Sequence, residues 1–351
     1  MSVIKLNNNL SSNILKITSV IPEDNRFTFT VQTSTDNQNV LIPQTNGYTY
    51  DYVIDWGDST SAYVSSYDDP DASHYYASAG TYRVTVDGSL RCLTCNGTGN
   101  FISSLTKINN WGNTRLDIVN FSGCASLNEI PEKPLPSTIT SLVSCFSGCG
   151  RLTYVPSVLF KNNTGLTNFS SVFFNCTSLT EISGDLFKYN TAINTLTGVF
   201  RNCSNLQSIP SGLFANNALV DNFALTFNGC TSLTTVPSGL FDNNPDVLSF
   251  SNAFTSCSNI ATIPLDLFKN NTLVESFYAT FYGCYKLTSD PSTLFNNNTA
   301  VTNFERTFYN CTKLSGTAPD LWNRIPVPTG DYCFISCASL SNYASIPIDW
   351  K

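Results

Sequence analysis

The chain has 351 residues, of which 42% are hydrophobic and only 12% charged, with a net charge of −7. Charged content at about half the usual quarter leaves Asn, Ser and Thr to make the polar surface, and an acidic chain with no basic face argues against nucleic-acid binding. There is no polybasic anchor for anionic lipid and no apolar run near the ~18 residues of a membrane span, so no membrane insertion is expected.

Residues 1–17 hold no apolar core of the kind an export signal needs, because Asn7, Asn8, Asn9, Ser11, Ser12 and Asn13 interrupt it. The expectation is a chain not exported by that route, or one whose signal has been removed. Arg26-Phe27-Thr28-Phe29-Thr30-Val31 alternates with the period of a strand. Then come Tyr52-Val53-Ile54-Asp55-Trp56-Gly57-Asp58 and the run from His74-Tyr75-Tyr76 through Gly80-Thr81-Tyr82-Arg83-Val84. This W-G-D turn followed by H-x-Y-x-x-x-G-x-Y-x-V resembles the PKD-type β-sandwich over residues 48–88. The resemblance implies a spacer or display role.

Several side chains in this part are candidates for chemistry. Asp55 and Asp58 flank the turn, and Asp68, Asp69 and Asp71 form an acidic loop. Calcium takes several such oxygens, so these five are the candidate metal ligands, although the spacing is not that of an EF-hand. The competing expectation is that Asp58 accepts backbone bonds in its own turn and that the acidic loop is solvated. His74 is the only histidine. A catalytic role would need a nucleophile and an orienting acid beside it, whereas its place in the sandwich pattern implies a structural one. Cys92 and Cys95 form a lone C-x-x-C without the second pair of a zinc site; zinc or redox use, a local disulfide and a plain junction role all stay open.

Beyond residue 120 the sequence repeats. Cys149, Cys176, Cys203, Cys230, Cys257, Cys284 and Cys311 are spaced 27 residues apart, with Cys124 before them and Cys337 after. Three residues ahead of each lies a Phe, including Phe173, Phe200, Phe227, Phe254, Phe281 and Phe308, and three residues behind lies Leu or Ile. A Leu-Phe pair such as Leu213-Phe214 and an Asn-Asn pair such as Asn216-Asn217 follow in most units. A coil of this length cannot bury its own Leu, Phe and Cys; stacked coils turn them into internal ladders. The spacing therefore assigns the cysteines to the core as small buried hydrophobes, and their odd total of 13 fits no complete disulfide framework. The residue before each repeat Cys is Gly, Asn or Ser, types that adopt a left-handed backbone at least cost. Each unit is nearly doubled, with Phe steps of 14 and 13 residues, so each half is read as a short strand followed by a short helical or 3-10 turn.

The F-x-x-C-x-x-L-x-x-[IV]-P signature resembles the BspA-like leucine-rich repeats of bacterial surface proteins and some phage proteins. Lys107-Ile108-Asn109-Asn110-Trp111-Gly112 resembles the segment that joins such repeats to a sandwich. The expected fold is β-rich with two domains: an immunoglobulin- or PKD-like sandwich with an attachment segment over 1–95, a junction and cap over 96–120, and a leucine-rich-repeat solenoid over 121–351.

The best lead on ligand binding is a tyrosine cluster. Two residues before the repeat Cys stand Tyr282 and Tyr309, expected as neighbours on adjacent coils, with Tyr278 and Tyr285 on the coil of Tyr282. Such a patch suits sugar rings or a protein partner. No P-loop, GxGxxG or HExxH occurs, and no cofactor is expected. The resulting expectation is a non-enzymatic display or adhesion protein, preferably a bacteriophage virion component such as a head or tail fibre. Its sandwich would hold other virion proteins and its solenoid would meet host glycans or proteins, with homo-oligomerisation allowed. A bacterial cell-surface adhesin and a glycan depolymerase are the alternatives.

Overall fold

The computed structural model describes residues 25–95 and 99–351; the stretch read for an export signal and for attachment lies outside them. The fold is β-rich with few helices, and no helix among the described residues is long and apolar enough to cross a membrane.

The first part holds β1 (Phe27–Thr33), β2 (Gln38–Leu41), β3 (Tyr50–Asp55), β4 (Ser61–Val64), β5 (Ser73–Tyr76) and β6 (Gly80–Leu90). β7 (Cys92–Thr94), β8 (Leu105–Asn110) and β9 (Ile118–Asn120) follow, with the short helix α1 (Asn100–Ser104) between β7 and β8. An antiparallel sheet runs in the order β4-β3-β6-β1-β8, and β2 pairs with β5. Alternation decides the faces: Phe27, Phe29 and Val31 of β1, Tyr52 and Ile54 of β3, and Val84 and Val86 of β6 are all buried. Val40 and Tyr76, from β2 and β5, join the same core. The W-G-D turn needs its glycine: Gly57 has φ +81, and a Cβ there would lie 2.5 Å from the Arg83 carbonyl oxygen.

Of the stretch 96–120, expected as junction and cap, residues 99–120 contribute to both parts. β8 completes the sheet against β1, while β9 pairs in parallel with β7. Lys107 of β8 bridges in parallel to Glu129 of the first coil. The hydrophobic core runs unbroken from β1 to Trp350.

The rest is a stack of coils. Parallel bridges join Asn168, Thr195, Asn222, Ser249, Ser276, Asn303 and Thr329 in sequence. From Phe169 every second amide donates to the next coil: Phe169 to the Thr195 carbonyl, Ser171 to Thr197, Phe173 to Val199 and Asn175 to Arg201, all at 2.9–3.1 Å. The intervening amides close turns within the coil, as Phe174 does on Ser171 at 3.1 Å.

Where short helical or 3-10 turns were expected, turns closed by hydrogen bonds three residues apart recur in both halves of the unit, Phe174 to Ser171 at 3.1 Å and Leu213 to Pro210 at 3.2 Å among them. Among residues 121–342 none of these turns extends into a helix, and the second half of the unit forms bridges only at Lys107–Glu129 and Thr235–Thr262. In the half that carries the cysteine, two left-handed residues per coil, a conformation no right-handed helix runs through, keep the turns short. One precedes each cysteine, such as Asn202 at φ +60 or Ser256 at φ +60; the other lies five residues before it, such as Ser171 at φ +58 or Asn252 at φ +58.

Inside the stack each side chain repeats on the coil above. Phe173, Phe200, Phe227, Phe254, Phe281 and Phe308 stack with centroids 5.5–5.8 Å apart and planes within 13°. Buried asparagines form a second ladder. Asn190 donates its Nδ2 to the Phe160 and Asn163 carbonyls, both at 3.0 Å, and Asn217, Asn244, Asn271 and Asn298 repeat the arrangement. The Phe160 carbonyl also accepts the Asn163 amide of its own turn, so both its lone pairs are used. The ladder ends on a cation: Arg324 donates to the Asn298 and Phe295 carbonyls at 2.8 and 2.7 Å, the bonds a further asparagine would make. The C-terminal tail covers the last coil, with Tyr332 donating to the Asp349 carbonyl and Phe334 to that of Trp350.

Truncating Phe227 to Ala opens the middle of the main ring stack and should cost about 3–5 kcal/mol. Asn244→Ala removes two hydrogen bonds, each worth about 0.5–1.5 kcal/mol net. Urea denaturation should therefore place it between wild type and the Phe227 variant; a loss equal to that of an exposed-residue control would deny the ladder its role.

Candidate functional site

The cysteine ladder is core chemistry. Each thiol donates to a carbonyl of the preceding coil, Cys203 to Phe173 at 3.2 Å, Cys230 to Phe200 at 3.1 Å and Cys311 to Phe281 at 3.1 Å. Cys149, Cys176, Cys257 and Cys284 do the same. Burial pushes these thiols up, Cys176 to about 12 and Cys203, Cys230, Cys284 and Cys311 well above the ordinary value. They therefore stay protonated, whereas nucleophilic or metal-binding roles require the thiolate. At the junction Cys92 and Cys95 are buried, and the Cys95 sulfur lies 3.3 Å from that of Cys124, on the first coil.

The acidic candidates are engaged within their own turns. Asp55 accepts the Gly57 amide at 2.9 Å. Asp58 accepts the Thr60 amide and hydroxyl and lies 2.7 Å from His74 Nε2. Burial alone would raise the Asp58 carboxyl, but these hydrogen bonds outweigh it and hold it below the usual range. Asp69 accepts the Ser65 amide and hydroxyl and the Asp71 amide, and Asp68 accepts the Ser66 hydroxyl. Among the described residues no group of three metal-ligating side chains converges, so Asp55, Asp58, Asp68, Asp69 and Asp71 are not brought to one point. His74 stacks on Trp56 with centroids 5.0 Å apart and serves the turn.

Three of the four candidate tyrosines do come together. Tyr282 and Tyr309 stack with centroids 4.8 Å apart and planes 8° from parallel. Tyr278 is tied in through Arg306, whose Nη1 donates to its hydroxyl at 3.0 Å. The Arg306 guanidinium lies 5.8 Å from the Tyr332 ring centroid, and its Nε is 3.5 Å from Glu305. Tyr282, Arg306, Tyr309, Tyr332 and Ile335 line an open cavity of about 430 Å³, within the ~300–1,000 Å³ range of small-molecule sites. Tyr285 is half exposed and does not line it.

Arg306, Tyr332 and Ile335 are the residues that sequence reasoning missed, yet the repeat carried a signal. The left-handed position five residues before the cysteine is Ser144, Ser171, Gly198, Leu225, Asn252 and Ala279 in earlier coils, then Arg306 at φ +57 and Tyr332 at φ +61. A left-handed backbone costs a residue with a Cβ roughly 1–2 kcal/mol. Two long side chains in a row at that position, both on one cavity, mark where the surface departs from the pattern.

No protein-family profile matches the chain, and no curated protein does. Among solved structures it is similar, at 17% identity and a TM-score of 0.21, to a chain of the Toll–Spatzle complex, described as a molecular hub in Drosophila development and innate immunity. The likeness covers 61% of this chain and 35% of that one, and it transfers no function.

The thiols predict a pH dependence. Their folded pKa values lie above the unfolded value of about 8.5, so their stabilising effect is whole below that pH and is lost as pH rises, when the unfolded chain releases protons that the folded chain retains. Denaturation midpoints should fall progressively from about pH 8.5 upward. In native protein at pH 8 the ladder thiols should resist Ellman's reagent, and all 13 cysteines should react in denaturant. Fast native labelling of Cys203 or Cys230 would contradict their burial.

Proposed function

We propose that this chain is a non-enzymatic display and host-binding protein of a bacteriophage virion surface, such as a head or tail fibre or decoration protein. In this reading the coils are a BspA-like leucine-rich-repeat solenoid, the N-terminal sheets are a PKD-like sandwich that connects to other virion proteins, and the solenoid meets host glycans or proteins. One observation carries it. The cavity on the last coils is lined by aromatic rings and one guanidinium, groups that bind sugars and proteins by stacking and hydrogen bonding. A bacterial cell-surface adhesin would use the same cavity in the same way and differs only in where the chain is displayed. A glycan depolymerase would need a pair of carboxyl groups about the scissile bond, and none is among the lining residues.

Purified protein should bind intact bacterial cells of a susceptible strain. Tyr282→Ala with Tyr309→Ala should lower that binding about tenfold or more, because base- or ring-scale stacking losses amount to ~1–3 kcal/mol, while circular dichroism and the melting temperature stay near wild type. Absence of binding to any cell or glycan, with normal incorporation into particles, would leave a purely structural protein. New reducing sugar ends appearing on incubation would instead establish the depolymerase.

A further inference from the structure

We propose that the cavity on the last coils selects a sugar bearing a carboxylate, such as a uronic or sialic acid residue, an inference that rests on the host-binding reading. The lining divides into two chemistries. Tyr282 and Tyr309 stack in parallel at 4.8 Å and Tyr332 stands beside them, about half exposed. These rings offer apolar faces and hydroxyls to the C–H faces and hydroxyls of a pyranose. Arg306 supplies the only formal charge among the lining residues.

That charge is placed and held. Nη1 donates to the Tyr278 hydroxyl at 3.0 Å, which fixes one end of the guanidinium within the chain, and Nε lies 3.5 Å from the Glu305 carboxylate. No partner in the chain engages Nη2 among the described residues. A fixed guanidinium with donors to spare is suited to a carboxylate, which it meets with paired, charge-assisted hydrogen bonds. Glu305 stands beside Nε and is absent from the cavity lining. It screens part of the positive charge, so a singly charged carboxylate fits better than a phosphate group of higher charge.

The backbone argues the same way. Arg306 and Tyr332 occupy the left-handed position that earlier coils fill mostly with Ser, Gly, Asn or Ala. Nothing in the coil's packing requires a long side chain there, since all the earlier coils but that of Leu225 stack with a small or short one. Strain kept at adjacent coils around one cavity is what a binding site retains.

This strain also gives the test a clean variant. Asn accepts a left-handed backbone readily, so Arg306→Asn should fold at least as stably as wild type, read by its melting temperature. Titrations would use glucuronate-, galacturonate- and sialate-terminated oligosaccharides alongside the corresponding neutral or carboxyl-reduced sugars, followed by saturation-transfer NMR and calorimetry. Wild type should prefer at least one carboxylated sugar over its neutral counterpart by about tenfold or more, the value of one charge-assisted contact. Arg306→Asn should abolish the preference while leaving weak neutral-sugar binding, and added salt should erode the preference in wild type. Equal affinity for acidic and neutral sugars would overturn the inference, as would a preference that survives in Arg306→Asn. Selective binding of a peptide's free C-terminal carboxylate over every sugar would also overturn it. If cells are bound but Arg306→Asn binds them equally, the inference falls and the host-binding reading stands; if wild type binds no cells, the reading itself falls.

Discussion

The structure depends on a translation. Through most of the stack each coil repeats the one 27 residues before it, and carbonyls that a coil buries are answered by its neighbour. The Phe173 carbonyl accepts the Cys176 amide of its own turn and the Cys203 thiol of the next coil. The Phe187 carbonyl accepts the Asn190 amide and the Asn217 side chain. A chain with so few regular strands and no helices in its coils must satisfy its backbone in this way, since an unpaired buried group is costly. The same translation sets the aromatic rings parallel and removes any route for water to the thiols.

A stack of this kind has a problem at each end, where the neighbour is missing. At the start, β8 and β9 solve it by belonging to both parts, one pairing with the sheet and the other opening the parallel ladder with β7. At the far end the solution is chemical. The last unit is one residue short, which puts Arg324 where the ladder would place an asparagine, and its guanidinium makes both required bonds while its outer edge meets solvent. Trp350 and Asp349 then supply carbonyls to the amides of the last coil. These are end caps of the type repeat arrays need.

The translation also constrains where function can sit. Interior positions must match from coil to coil, so Phe, Cys, Leu and Asn cannot vary without breaking a ladder. Outward positions have no such obligation. The tyrosines and Arg306 occur at outward positions of the last coils, next to the cap, and there the chain accepts two left-handed residues of a kind it mostly avoids earlier. The acidic and cysteine candidates differ in the opposite sense: their groups are consumed by their own turns or by the core.

The sequence alone determined what is periodic. The coil length, the Phe and Cys ladders, the left-handed residue before each cysteine and the adjacency of Tyr282 and Tyr309 all follow from spacing, because in a stack equal spacing means vertical alignment. Alternation likewise placed β1 and its buried face. Only the tertiary structure decided what depends on contacts without a period. It turned the second asparagine of each pair inward, gave β8 to the sheet and closed the ladder with Arg324. It joined Tyr278 to Tyr332 through Arg306 and left Tyr285 outside the cavity. It also kept the expected turns from lengthening into helices, with a second left-handed position in the coils that hosts Ser, Gly, Leu, Asn, Ala, Arg and Tyr, so that no single residue type announced it.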